Sequence, residues 1–510
     1  MKVVFVLFDS LTRNALSCYG GSEPTPNFER LAAKAVTFDN HYVGSLPCMP
    51  ARRDLQTGRL NFMHRSWGPM EPFDDSLPDL LRRRGAYTHL ATDHYHYFED
   101  GGATYHNRFT TYDFLRGQES DAWHAVVRPP LHEYAQNYHE TQLETDRNGH
   151  RLQGLINRER LVEERDFPSV KTFSCGLDFL ARNGAENDWF LQIEAFDPHE
   201  PFLAPERYRA QFSPGYQGAT LDWPRYRKSN YSPEESAVLR ANYAALVRMC
   251  DDQLGRLLDR FDEDGLWDDT ALVLTTDHGF LLGEHDWWGK NQMPFYNEIA
   301  QIPLFIYHPR HAEAGGTRMG QLTQTIDIMP TILDMFGVEA PTDVTGRSIM
   351  PLLSGQKASI REMAVFGIYG GAVNVTDGRH TYFRYPARME TVDLFEYTLM
   401  PMHNRSLFET REMEKAVLHP PFRFTKNVPV LKIPALTDAK RSPRQGGFAD
   451  CQTCLYDLES DPEQSRPFQD AALEEKMCDA IAMEMALHDA PGELYQRWAV
   501  ERREPADASA

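Results

Sequence analysis

Largely apolar runs punctuate the N-terminal two-thirds of the chain: Val3-Val4-Phe5-Val6-Leu7-Phe8, Trp189 to Phe196 (with Gln192 and Glu194 inside it), Ala271 to Thr276 and Ile302 to Tyr307. Such runs read as strands covered on both faces, as in parallel sheets. Segments of helical character lie between them. Thr25-Pro26 starts one by cap and first-turn proline, with Phe28, Leu31 and Ala35 on one face. Ser76 to Arg84 ends at Gly85. Ser232-Pro233-Glu234-Glu235 opens a long helix whose apolar positions run from Tyr243 to Phe261, and Thr325 to Phe336 is closed by Gly337. The alternation predicts an α/β fold, a doubly wound, mostly parallel central sheet flanked by helices. Around 355–385 the pattern changes to short strands such as Thr381 to Tyr385 and Cys454 to Asp457, followed by an amphipathic helix over 470–490. The expected division is a catalytic domain over 1–370, a smaller C-terminal α+β domain over 371–503 and a polar tail over 504–510. Residues 100–165 are polar, rich in His, Arg and Tyr and poor in periodicity. They read as an insertion that shapes the mouth of a site.

Composition narrows the function. The chain has 510 residues, 41% hydrophobic and 25% charged, with a net charge of −21. That charge argues against nucleic acid and against an anionic membrane surface, and any anionic ligand needs a locally positive pocket. Seven cysteines are few and odd in number. They predict a reducing cytoplasm rather than a disulfide framework. The first apolar run is too short to span a membrane and no small-residue cleavage site follows it. Cys451-x-x-Cys454 is a single pair and reads as a loop feature rather than a zinc or redox motif.

Chemistry gathers where strands end. Asp9 follows the first strand, Asp277-His278-Gly279 the third, and Asp197-Pro198-His199-Glu200-Pro201 the second. Asp93-His94-Tyr95-His96 closes a further strand, and Gly289-Lys290 comes later. The carboxyl ends of strands are where open α/β sheets bind ligands. Cys48-Met49-Pro50-Ala51-Arg52 precedes Thr57-Gly58-Arg59. Pro50 suits a first helical turn, which places residue 48 at a helix N-terminus favourable to anions, with Arg52 one turn on.

Cys-x-Pro-x-Arg followed by Thr-Gly, with the Asp-His pair, resembles the type I sulfatases, formylglycine-dependent members of the alkaline phosphatase superfamily. The likeness extends through Pro198-His199-x-Pro201, Gly289-Lys290 and Ile326-Asp327-Ile328-Met329-Pro330-Thr331. It implies that Cys48 is oxidised to formylglycine by a formylglycine-generating enzyme and that the hydrated aldehyde attacks sulfur. It further implies that Asp9, residue 48, Asp277 and His278 ligate one divalent metal, that Arg52 fixes the diol and that His96 takes the hemiacetal proton. His199 and Lys290 would contact the ester, one of them protonating the leaving alcohol. Three departures matter. Ser10 and His278 stand where many sulfatases carry Asp and Asn, as in the phosphonate monoester hydrolases; they suit Mn²⁺ slightly better than Ca²⁺. His94 is the nearest stand-in for an absent lysine and is a candidate substrate contact. The expected activity is hydrolysis of small or aryl sulfate esters, with phosphonate monoester or phosphodiester hydrolysis as the alternative. An inactive metal-binding scaffold would not need Cys48, Pro50, Arg52 and Lys290. Specificity is expected in residues 60–75, 100–165 and 200–230, where Trp67, Trp123 and Trp223 either stack on substrate or pack. A homo-oligomer is left open.

Overall fold

A computed structural model describes residues 1–146, 149–212, 215–386, 394–435 and 450–503. Eight strands form the main sheet: β1 (Lys2–Phe8), β2 (Val36–Phe38), β3 (Tyr87–Thr92), β4 (Thr111–Phe114), β5 (Trp189–Ala195), β6 (Thr270–Thr276), β7 (Leu304–Tyr307) and β8 (Arg318–Met319). Their order is β8-β2-β7-β6-β1-β5-β3-β4. Strands β6, β1, β5, β3 and β4 are parallel, and every residue of β1, β5 and β6 is buried. Strand β7 is the exception. It runs antiparallel to both β6 and β2.

The two faces of β1 belong to different cores. Val4, Val6 and Phe8 meet helices α1 (Pro26–Ala32), α3 (Pro168–Asn183) and α4 (Pro233–Glu263). Val3, Phe5 and Leu7 meet α2 (Cys48–Thr57) and α5 (Ile328–Met335). Side chains of a strand alternate between faces, so a run that is apolar throughout needs helices on both sides.

A second sheet joins Ser45–Leu46 in parallel to β9 (Ala364–Ile368), then continues antiparallel through β10 (Val373–Thr376), β11 (His380–Arg384) and β12 (Cys454–Asp457). Helix α6 (Ala471–Leu487) covers it with Met477, Ile481 and Met485. The residues just before Cys48 thus belong to the sheet built mainly by the C-terminal part of the chain.

Several expectations are corrected. The Thr25 side chain does not cap α1; its hydroxyl accepts from the Ser17 amide, while Asp251 Oδ1 receives the Asn27 and Phe28 amides at 2.9 and 3.0 Å. A carboxylate on α4 replaces the local cap because it is already buried against that helix end. The segment 100–165 contains strand β4, too short to show a period, and the helix His150–Arg158, whose Leu152, Leu155 and Ile156 are buried at helical spacing within an otherwise polar stretch. The helix expected from Thr325 begins at Ile328, after a tight turn over Thr325–Asp327. Ser232 and Glu235 do form the predicted capping box. Cys451 and Cys454 are unbridged. The tail over 504–510 lies outside the described residues, among which no helix is long and apolar enough to cross a membrane.

Candidate active site

Sheet register makes the site. Phe8 is paired with Thr276 on one side and Ala195 on the other, so β1, β6 and β5 release their chains at one level. Asp9 and Asp277 therefore emerge side by side. Ser10 turns the chain away in a left-handed conformation (φ 62°), and its amide donates to Asp277 Oδ1 at 3.1 Å. His278 Nδ1 donates to the Gly279 carbonyl at 3.0 Å, which leaves Nε2 directed at Cys48 Sγ, 3.3 Å away. Cys48 is the first residue of α2 and is 2% exposed. Ligand atoms of Asp9, Cys48, Asp277 and His278 all lie within 4.8 Å of one another.

Arg52, one turn along α2, locks this group. Its Nε donates to Glu194 Oε1 at 2.6 Å and its Nη1 to Asp277 Oδ2 at 2.6 Å, while Nη2 lies 3.0 Å from Asp9 Oδ2. It touches residue 48 through the backbone carbonyl, at 3.1 Å. Helix α2 is itself anchored by buried Asp54, which accepts from the Ser45 amide and hydroxyl at 2.6 and 2.9 Å and from the Asn61 side chain at 2.5 Å. Lys290 Nζ donates to Ser10 Oγ at 2.8 Å and lies 3.5 Å from Asp9 Oδ1. His94 is fully buried beside Asp9, its Nδ1 3.9 Å from Oδ2, and neither ring nitrogen has a hydrogen-bond partner. It lies beneath the cavity rather than on its wall.

A cavity of about 830 Å³ opens over Cys48 and Lys290. His96, His199, Trp67 and Trp223 line it, whereas Trp123 does not. His96 donates from Nδ1 to Glu99 at 2.9 Å, and Arg405 donates to its Nε2 at 3.0 Å. Burial and then Arg405 draw His96 down to about 4, so the ring is neutral near pH 7. His199 Nδ1 donates to the Glu200 carbonyl at 2.5 Å.

The sulfatase family model matches residues 2–338, two-thirds of the chain. The chain belongs to the sulfatase family, a family of sulfuric ester hydrolases. A second match, to the C-terminal region of N-sulphoglucosamine sulphohydrolase, covers residues 283–420. The multifunctional alkaline phosphatase superfamily protein PehA of Trinickia caryophylli is 29% identical over 391 residues, 66% of this chain and 74% of that protein. The N-acetylglucosamine-6-O-sulfatase of Bacteroides thetaiotaomicron is 26% identical, over 72% of this chain and 74% of its own. Among solved structures, the phosphonate monoester hydrolase of Agrobacterium radiobacter superposes with a TM-score of 0.64 at 18% identity, over 96% of this chain and 95% of that one. That likeness is one of fold.

The family implies a divalent metal, and the residues present fit one. Asp9 Oδ2 is buried and, although 3.0 Å from Arg52 Nη2, makes no well-aligned hydrogen bond, and the donor set of two carboxylates and an imidazole suits a hard or borderline cation. Burial would raise the Asp9 carboxyl, but Lys290 and Arg52 hold it well below the usual carboxylate range, so it is ionised. The same surroundings are hostile to a thiolate. Burial, then Asp9, pushes the Cys48 thiol well above its ordinary value, so an unmodified Cys48 would be a poor nucleophile.

In this sulfatase-family site the structure brings together Asp9, Cys48, Arg52, His94, Asp277, His278 and Lys290, with His96 and His199 on the cavity wall above. The sequence reading missed Glu194 and Arg405. Glu194 left a signal, a carboxylate inside a buried apolar strand. Arg405 left none, since it reaches His96 from the C-terminal part of the chain.

Proposed function

We propose that this chain hydrolyses sulfate esters of small or aryl alcohols, with residue 48 acting as formylglycine. The observation that carries this is the position of residue 48. It stands at the N-terminus of α2 beside two strand-end carboxylates, in a chain of the sulfatase family. Asp9, Asp277, His278 and residue 48 would hold one divalent cation, manganese slightly favoured over calcium. Such a cation neutralises ester oxygens and acidifies the attacking hydroxyl, and the hydrated aldehyde supplies that hydroxyl together with a second one that lets the enzyme regenerate. The chain's own residues do the rest. Arg52 holds both strand-end carboxylates and the carbonyl of residue 48. Lys290 presents a fixed positive charge to the cavity, and His96 is a neutral ring whose Nε2 accepts from Arg405, so it can take a proton there only once Arg405 has swung away. Because Cys48 is buried, the formylglycine-generating enzyme must reach it before α2 packs.

Peptide mass spectrometry of active protein should show residue 48 in a form lighter than cysteine and reactive to hydrazide. Activity from a sample whose Cys48 is wholly unmodified thiol would sink the mechanism. Ser10 and His278 favour a second reading, hydrolysis of phosphonate monoesters or phosphodiesters on the same site. Relative kcat/KM on an aryl sulfate and an aryl phosphonate monoester decides between the two.

A further inference from the structure

The wall of the cavity carries positive charge that the reacting site does not use. Arg151, on the helix His150–Arg158, lines it together with Arg225 and Arg227. Among the described residues none of these three is ion-paired with a carboxylate. Arg158, on the same helix as Arg151, shows the contrast: it holds Asp222 at 2.6 Å.

Two of the three guanidinium groups are held by neutral carbonyl acceptors instead. Arg151 is 7% exposed; it donates to the Trp223 and Pro224 carbonyls at 2.9 and 3.0 Å and lies over the Trp223 ring at 4.7 Å. Arg225 donates to the Thr141 carbonyl. Arg227 Nε is buried without a hydrogen-bond partner. Carbonyls orient a guanidinium but do not cancel its charge. Two acids share the wall but neither forms an ion pair with these arginines. Glu119 is paired with His150 and accepts from Tyr95, and Glu200 accepts from Tyr226 and lies 3.3 Å from the His199 ring, so both attract Arg151 only across the cavity. Burial, then neighbouring Arg225, draws Arg151 down to about 10, which fits crowding by like charge. Clustered, partly desolvated cations in a chain of net charge −21 are costly unless an anion meets them. Guanidinium forks match the planar oxygens of carboxylate, sulfate and phosphate.

We propose that Arg151, Arg225 and Arg227 form a second anion subsite, which takes an oxyanion group carried by the same molecule as the ester at Cys48. The substrate class is then a sulfate ester with a further carboxylate, sulfate or phosphate. This deepens the sulfate-ester reading and rests on it for its catalytic meaning.

The test uses sulfonates, which are not hydrolysed, so its result does not depend on turnover. Calorimetric titration of the full-length protein compares benzenesulfonate with meta-benzenedisulfonate and a biphenyl disulfonate, the last two differing in the spacing of their charges. At least one dianion should bind about tenfold more tightly than the monoanion, the scale of one charge-assisted contact pair. The preference should collapse toward unity in Arg151→Gln and in the double variant Arg225→Gln/Arg227→Gln, and return in part in Arg151→Lys. Using a buried and a half-buried position keeps the test alive if one variant misfolds. Equal binding of all three sulfonates by the wild type, or an undiminished preference in folded variants, would overturn the subsite. Dianion preference without any ester hydrolysis would instead leave the subsite standing and remove the sulfatase reading.

Discussion

His199 and Lys290 face one cavity but hold their protons differently. Lys290 is strapped to Ser10 Oγ and to Asp9, and Asp9 is ionised, so its charge is fixed in place. His199 uses Nδ1 on the Glu200 carbonyl, and its Nε2 remains to serve the cavity. We propose His199 as the proton donor to a leaving alcohol, acting from Nε2 in its imidazolium form while Nδ1–H stays on the Glu200 carbonyl, and Lys290 as the binder of ester oxygens. General acid catalysis contributes ~10²–10⁴-fold, and only where the leaving group needs a proton. Replacing His199 by Ala should reduce kcat/KM for alkyl sulfates far more than for nitrophenyl sulfate. Lys290→Ala should reduce both alike, because it stabilises charge common to both transition states. Leaving-group plots for the two variants check this, and a steeper slope for Lys290→Ala would reverse the assignment.

At the scale of elements, the turn after β6 carries two candidate ligands and has no room to relax. Gly279 donates to the Ile299 carbonyl at 2.9 Å, and a Cβ placed on it would lie 1.9 Å from the Glu298 carbonyl oxygen. Backbone cannot yield as a flexible side chain can. The Gly279 carbonyl also fixes the His278 ring. Gly279→Ala should thus lower stability by about 2 kcal/mol or more and reduce bound metal together, as overpacking against backbone does. Thermal melting and metal analysis of the purified variant test both effects. A variant with wild-type melting and full metal content would show that the turn is not what aims His278. Helix α2 depends on a comparable device, since Asp54 ties its middle to Ser45 of the second sheet.

On the scale of the molecule, the two sheets are joined through the site. Ser45–Leu46 extends the second sheet and leads directly into Cys48, and Arg405 reaches back to His96. His64 is a further joint. Its Nε2 bonds the Asp489 carbonyl at 3.0 Å, and its ring packs edge-on against Phe422 and Phe424 at 5.0 and 4.7 Å. Burial draws its pKa from 6.5 down to about 3, so the folded protein holds it neutral while the unfolded chain protonates at the ordinary value. A depressed value of this kind contributes stability above about pH 6.5 that is lost as pH falls toward 3. Asp54 and Asp197, both raised to about 7 chiefly by burial, act in the opposite direction, being easier to bury once protonated. The discriminating measurement is therefore a difference. Between about pH 7 and about pH 4 the melting temperature of His64→Gln should fall less steeply than that of the wild type. Parallel profiles would show that His64 does not contribute to the acid response.

Much of this was legible in the residues alone. Largely apolar runs determine strands covered on both faces, and Asp9, Asp277 and His278 could be placed at strand ends because the runs stop there. Cys48-x-Pro50-x-Arg52 determined a helix start with its arginine one turn on, as found in α2. Local spacing carries such information because it reflects backbone period and cap chemistry. Tertiary structure alone decided the rest. Pairing of Phe8 with Thr276 set Asp9 beside Asp277, and the antiparallel course of β7 follows from partners distant in sequence. Glu194 meets Arg52 across 142 residues and Arg405 meets His96 across 309. Arg151 meets Arg225 and Arg227 at one cavity from a separate segment, and their lack of carboxylate ion pairs among the described residues is a property of that wall. No local period encodes contacts of this kind, because they are set by how the sheet is ordered and by what the helices leave uncovered.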